Sequence, residues 1–229
     1  MILKDKVVVI TGGSKGLGKS LASLFVKEGS VVVISSHNQN DLENTAKEIN
    51  VKAIVADITK EQEVKDLAEQ VVKDYGRIDI WINNAGIWLP RVSIEELNWE
   101  RAHQLMEVNL FGTVFGSKNA LIQMRKQGSG SIVNIISTSG LNGKAGGSAY
   151  CASKYAVVGF TNSLREETKE TNIKVISIYP GGMRTNFFDE KKPTEFEEYM
   201  DPKDVAGKII ENLKKENQET ELVIKRPTA

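Results

Sequence analysis

Short β-branched apolar runs alternate with longer amphipathic stretches along this whole chain, and few folds accommodate that rhythm. It is the pattern of βαβ units around a parallel sheet. Strands are expected at Val7–Ile10, Val31–Ile34, Ala53–Ala56, Ile78–Ile82, Ser131–Ile136, Lys174–Tyr179 and Glu221–Ile224. Between them, helices are expected at about Gly16–Glu28, Asp41–Ile49, Lys60–Tyr75, Ser148–Lys169 and Pro202–Lys215, Gly29 stopping the first. Ser93–Lys126 reads as two helices with a break near Val108 and Asn109. The strand runs are apolar without polar alternation, as when helices cover both faces of a sheet. The expected fold class is therefore α/β, a doubly wound sheet of about seven parallel strands flanked by helices on both faces.

No repeat or flexible linker divides the 229 residues, so one domain, 1–229, is expected. Its least regular part, Gly181 to Asp201, sets Met183, Phe187, Phe188, Phe196 and Met200 among charges and reads as a lid at about 181–201. Thirty basic residues balance thirty acidic ones, so no overall field favours nucleic acid or an anionic membrane, and the expected partner is a small molecule. A single cysteine, Cys151, and two histidines, His37 and His103, make neither a disulfide framework nor a metal set. No apolar run approaches the roughly 18 residues of a membrane span, and charges interrupt the N-terminal Met1–Lys6, so a cytoplasmic protein without bound metal is expected.

The first strand runs into Thr11-Gly12-Gly13-Ser14-Lys15-Gly16-Leu17-Gly18 and then directly into a helix. Strand, glycine turn and helix N-terminus together form an anion site, because unpaired N–H groups point outward and glycine lets a pyrophosphate approach the backbone. The spacing is GxxxGxG rather than the general GxGxxG, so its weight comes from its place at the first βα junction, where doubly wound sheets bind nucleotides. A tight turn that merely packs helix on strand is the plainer alternative.

The end of the second strand would meet the adenosine ribose, and an NAD-preferring site places an acid there. Here the chain reads Ser35-Ser36-His37-Asn38-Gln39-Asn40, with no acid before Asp41. A 2′-phosphate would then meet no repulsion, Lys15 could reach it, and Ser36, His37 and Asn38 could hydrogen-bond it. The expected cofactor is NADP(H), preferred over NAD(H). Asp57, next to Ile58, could accept from the adenine amino group or cap the next helix, and Asn83-Asn84-Ala85-Gly86 suits both a tight turn and the adenosine side of a cofactor.

Tyr150 and Lys154 lie four residues apart on an expected helix and share one face. Free tyrosine has a pKa of about 10, and a nearby ammonium stabilises its phenolate, which suits an acid/base for carbonyl chemistry. Ser137, at the end of the fifth strand, could hold the substrate oxygen, with Ser139 as the rival hydroxyl. Trp88, Leu89, Leu141, Met183, Phe187 and Phe188 suggest an apolar mouth.

Together TGGSKGLG, NNAG, the VNL around Asn109, the serine of IISTSG, YCASK and PGGMRT resemble the ordered motifs of short-chain dehydrogenases/reductases, spanning residues 11 to 185. The resemblance implies a Rossmann-type domain and hydride transfer between a nicotinamide cofactor and a ketone, aldehyde or alcohol. It implies a catalytic set of Asn109, Ser137, Tyr150 and Lys154: the phenol exchanges the proton, the lysine binds the nicotinamide ribose and lowers the phenol's pKa, and the asparagine backbone helps hold a relay water. The cofactor set it implies is Gly12, Ser14, Lys15, Gly16, Leu17, Gly18, Ser36, His37, Asn38, Asp57, Ile58, Asn84, Ala85, Gly86, Tyr150, Lys154, Pro180, Gly181, Met183 and Thr185. His37 stands where NADP-preferring members often carry arginine. The resemblance also implies a homodimer or homotetramer joined through the two long helices. A general carbonyl reductase, a reductase of 3-oxoacyl groups on a carrier protein and a non-catalytic NADP(H)-sensing protein remain open on the sequence.

Overall fold

The computed structural model describes residues 1–226; positions 227–229, the end of the expected 1–229 domain, lie outside the described residues. Seven strands form one sheet: β1 (Val7–Thr11), β2 (Val31–Ser36), β3 (Lys52–Val55), β4 (Ile80–Asn83), β5 (Gly130–Ile135), β6 (Ile173–Pro180) and β7 (Glu221–Ile224). Their order is β3-β2-β1-β4-β5-β6-β7, with every neighbouring pair parallel. The chain winds outward from β1 to β3, crosses back to β4 and winds outward again. This is the doubly wound Rossmann arrangement, and its reversal opens a crevice between the C-terminal ends of β1 and β4.

Seven α-helices accompany the strands: α1 (Gly16–Lys27), α2 (Gln39–Ile49), α3 (Glu61–Tyr75), α4 (Trp99–Met106), α5 (Gly112–Gln127), α6 (Ser148–Thr168) and α7 (Pro202–Lys214). Side chains alternate across a strand, so β1 serves two cores. Val8 and Ile10 join Leu21 and Phe25 of α1, Leu42 of α2 and Ile209 and Leu213 of α7 on one face. Val7 and Val9 join Val64, Leu67 and Val71 of α3, Met124 of α5 and Leu164 of α6 on the other. The helices stop where the backbone turns left-handed, at Gly76 after α3 and Gly128 after α5. Among the described residues no helix is long and apolar enough to cross a membrane.

Helices flank both faces of the sheet, and cover thins only at its edges, where Val55 of β3 and Val223 of β7 are 49% and 43% exposed. The two helices expected in Ser93–Lys126 are α4 and α5. What parts them near Asn109 is a π-helical turn, Glu107–Phe111, through which the backbone passes without leaving the helical path. The one-residue slip in register turns Asn109 inward, where it is 1% exposed.

A chain of amides and hydroxyls runs through the second core beneath the crevice. Trp81 Nε1 donates to Asn83 Oδ1 (2.7 Å), and Asn83 Nδ2 donates to Ser117 Oγ (2.9 Å) and Asn134 Oδ1 (2.8 Å). Asn134 Nδ2 continues to Thr161 Oγ1 (2.9 Å), which donates to the Val157 carbonyl (2.7 Å). Each buried group has a partner, so the network fixes β4, β5, α5 and α6 relative to one another. Asn134→Ala leaves donors and acceptors unmatched and is expected to destabilise the fold by about 2–4 kcal/mol. Chemical denaturation measures this, and an unchanged midpoint would contradict it.

Candidate active site

A cavity of about 940 Å³ opens at the crevice, lined by the glycine turn, the segment after β4, the segment after β5, the first turns of α6 and the segment after β6. Gly12 and Gly16 hold left-handed backbone at φ +63° and +53°. A Cβ on Gly12 would lie 2.7 Å from the Ala85 Cα, and one on Gly18 would lie 2.3 Å from the Gly12 carbonyl oxygen. Glycine is therefore what lets the turn lie against the post-β4 segment and α1 against the turn. Asn84 Nδ2 locks the junction by donating to the carbonyls of Thr11 (2.9 Å) and Gly12 (3.1 Å). No side chain caps α1 and its first turn holds no acid, so its leading N–H groups remain free for an anion. This donor set fits a pyrophosphate.

Lys15, Gly16, Leu17, His37, Asn84, Ala85 and Gly86 line the cavity with Gly12. Pro180, Gly181, Met183 and Thr185 line it from the segment after β6. Tyr150 and Lys154 line it too, while the expected contacts Ser14, Gly18, Ser36, Asn38, Asp57 and Ile58 lie outside that lining. Ser14 is buried and its carbonyl accepts from Thr45 Oγ1 (2.7 Å), while Gly18 sits behind the turn. Ser36 Oγ accepts from the Asn38 N–H (3.3 Å), and Asn38 Oδ1 caps α2 through the Asp41 N–H (3.0 Å). Asp57 Oδ1 is taken up by Thr59, and Ile58 packs where a Cβ on Gly112 would be 2.4 Å away. Beyond the acid-free stretch, Asp41 Oδ2 folds back to 2.7 Å from Lys15 Nζ.

α6 starts at Ser148, so Tyr150 and Lys154 fall one turn apart on its cavity face. Lys154 Nζ lies 5.8 Å from the Tyr150 ring centroid and is 3.4 Å from the Ile135 carbonyl. Burial pushes the Tyr150 phenol above its ordinary range, and an interaction with the Ser137 hydroxyl pulls it the other way. Burial also draws Lys154 down to about 8. Ser137 Oγ accepts from the Ser139 N–H (3.1 Å), and both serines line the cavity.

Asn109 is outside the lining, and its side chain is bonded on both its oxygen and its nitrogen. Its Oδ1 accepts from the Ile87 N–H (2.9 Å), and its Nδ2 donates to the Ile87 carbonyl (3.0 Å) and Ser153 Oγ (3.1 Å). Ser153 Oγ in turn donates to the Tyr150 carbonyl (2.8 Å). Sequence reasoning missed Ser153, although it stands inside YCASK one residue before Lys154.

Trp88, Met183, Phe187 and Phe188 line the mouth, whereas Leu89 is buried and Leu141 is exposed outside it. Phe187 meets the Tyr150 ring edge-to-face at 6.2 Å, and Phe188 meets Trp88 at 5.1 Å and Tyr199 at 5.4 Å. Arg101 of α4 grips both carboxylate oxygens of Glu190, holding the segment after β6 against the body. Among the described residues no cluster of metal-ligating side chains occurs.

The family model of short chain dehydrogenases matches residues 6–195. The chain belongs to the short-chain dehydrogenase/reductase family. It is a member of a family of oxidoreductases that bind a nicotinamide dinucleotide and act on small molecules. The chain is 34% identical over 212 residues to an uncharacterized oxidoreductase of Staphylococcus aureus (strain MRSA252), covering 91% of each. A short-chain dehydrogenase from Streptomyces avermitilis superposes with TM-score 0.86 at 30% identity, over 96% of this chain and 89% of that one. An alcohol dehydrogenase from the archaeon Thermococcus sibiricus, complexed with 5-hydroxy-NADP, superposes with TM-score 0.89 at 25% identity, over 99% and 100%.

Because Gly16 is left-handed and a Cβ there would approach Thr185 at 3.2 Å, Gly16→Val strains the turn and narrows the cavity. Dinucleotide affinity is expected to fall by about tenfold or more, equivalent to at least about 1.4 kcal/mol. Calorimetric titration, with thermal unfolding to show the variant folded, tests this; wild-type affinity would contradict it.

Proposed function

We propose that the chain is an NADP(H)-dependent carbonyl reductase, interconverting a ketone or aldehyde and an alcohol, with Tyr150 as general acid/base. The observation that carries the reading is that Ser137, Tyr150 and Lys154 line the same cavity as the glycine turn. The turn, through Gly12, Gly16 and Leu17, would hold the dinucleotide's pyrophosphate, Lys15 its 2′-phosphate, and Gly86, Lys154, Pro180, Gly181, Met183 and Thr185 its nicotinamide end. Gly86 suits that role because a Cβ on it would fill the space between Asn109 Oδ1 (3.1 Å), Lys154 Nζ (3.8 Å) and the Phe187 ring (4.0 Å). When bound, the nicotinamide supplies or takes up the hydride.

The chain's own residues move the proton and hold the oxygen. In reduction Tyr150 donates its phenolic proton to the carbonyl oxygen while the Ser137 hydroxyl donates a hydrogen bond to the same atom. In oxidation the phenolate takes the proton back. Burial disfavours that phenolate, so the Lys154 ammonium offsets the cost electrostatically. Asn109 and Ser153 act as positioning residues, holding the turn of α6 that carries the phenol. The segment 181–201 serves as the substrate lid, and the rings of Trp88, Phe187 and Phe188 favour an apolar carbonyl. Cys151 is free and buried, which suits the reducing cytoplasm to which we assign the protein.

Tyr150→Phe removes the proton donor and leaves the cavity intact, so turnover is expected to fall by at least about a hundredfold while NADPH binding stays measurable. Lys154 loses its proton as pH rises through about 8, so reduction by the unaltered enzyme is expected to decline over that range. Near-normal turnover in the Phe variant, or a rate indifferent to pH through that range, would contradict the roles.

Phe111 of the π-helical turn that leads into α5, Ile122 of α5 and Tyr155 of α6 are 41%, 46% and 46% exposed, large apolar side chains on or next to the two long helices. They support assembly through those helices as a homodimer or homotetramer. Light scattering is expected to give a multiple of the 25.3 kDa chain mass, and a monomeric mass would refute the assembly.

A further inference from the structure

The cation best placed to recognise a 2′-phosphate is already engaged. Lys15 precedes the first residue of α1 in extended backbone, φ −146° and ψ 170°, and lines the cavity. Its ammonium meets Asp41 Oδ2 at 2.7 Å, with the two side chains 52% and 33% exposed. Asp41 is not free to drift away. It sits in the first turn of α2, its N–H tied to Asn38 Oδ1 at 3.0 Å. One helical turn further on, Thr45 Oγ1 donates to the Ser14 carbonyl at 2.7 Å in a buried contact. α2 is therefore pinned to the glycine turn, and Asp41 is carried with it to the lysine.

We propose that Asp41 sets how strongly this protein distinguishes a 2′-phosphorylated adenine nucleotide from its 2′-hydroxyl counterpart, by competing with the phosphate for Lys15. The proposal rests on the reading of Lys15 as the residue that faces the adenosine 2′ position. A 2′-phosphate must either displace the carboxylate or share the ammonium with it, and sharing places two anions on one cation. A nucleotide with a 2′-hydroxyl leaves the pair intact. Ser36, His37 and Asn38 around the pair bring no second fixed cation to relieve the competition, and the pair is too exposed to be neutralised by burial. Removal of the carboxylate frees Lys15 without altering the fold of α2, because Asp41's structural bond is made by its backbone N–H.

The test is calorimetric binding of adenosine 2′,5′-bisphosphate and 5′-AMP, neither of which can undergo hydride transfer, to the full chain and three variants. Asp41→Asn is expected to tighten the bisphosphate about two- to fivefold, the scale of a partly exposed ion pair, and to leave 5′-AMP unchanged. Lys15→Ala is expected to weaken the bisphosphate by at least as much, again without effect on 5′-AMP. Glu48→Gln is the control for a general loss of negative charge: Glu48 pairs with Lys19 at 2.6 Å between the same two helices, and its loss is expected to leave the ratio of affinities unchanged. If Asp41→Asn leaves the ratio unchanged while Lys15→Ala lowers it, the role of Asp41 is refuted and that of Lys15 stands. If Lys15→Ala changes nothing, the placement of the 2′ position at Lys15 fails, and this inference with it. If Glu48→Gln tightens the bisphosphate as much as Asp41→Asn, the effect belongs to overall charge and the inference is overturned.

Discussion

A single buried amide joins the two halves of the site. Asn109 occupies both the N–H and the carbonyl of Ile87, just beyond the post-β4 segment that backs the glycine turn. Its remaining donor reaches Ser153, whose hydroxyl holds the carbonyl of Tyr150. The segment that walls the dinucleotide cavity and the helix turn that carries the phenol are thus held to one side chain. Each bond is charge-neutral and worth little alone, yet breaking one strands partners in a 1% exposed position where water cannot replace them. Proton transfer tolerates little misplacement between donor and acceptor, so this clamp is where fold stability and chemistry meet.

The electrostatics of the site follow from burial. A half-buried phenol and a buried amine both favour their neutral forms, so Tyr150 moves up and Lys154 moves down. Such groups are poor structural elements and good proton handlers. The lysine keeps one backbone carbonyl, that of Ile135, within reach, and the glycine at position 86 leaves its other side open.

Local, repeated patterns made the fold legible. The βα alternation appears as runs of Val and Ile separated by amphipathic stretches, and each expected strand is found within a few residues of its place. Edge position is not local: β3 and β7 read like any apolar run, and only the sheet order reveals that they lie at the rims. The interruption near Asn109 was legible, but not that it is a π-helical turn, because a one-residue slip leaves hydrophobic spacing nearly unchanged. Side-chain partnerships are harder still. Lys15 precedes α1 while Asp41 lies in α2, and Asn109 and Ser153 are 44 residues apart, so no spacing rule links them. Motifs carrying several chemical residue types, such as TGGSKGLG and YCASK, stood out because few folds need those residues in that order, while Asn83, Ser117 and Asn134 look like ordinary polar positions until the network joins them.

The proposed role of this cavity is hydride exchange with a carbonyl rather than mere sensing of a dinucleotide. The direct measurement is NADPH oxidation across a panel of ketones, aldehydes and 3-oxoacyl thioesters, with NADPH binding measured on the same preparation. Turnover that saturates with at least one apolar carbonyl is expected. Tight NADPH binding with no oxidation by any member of the panel would contradict the claim and favour a sensor.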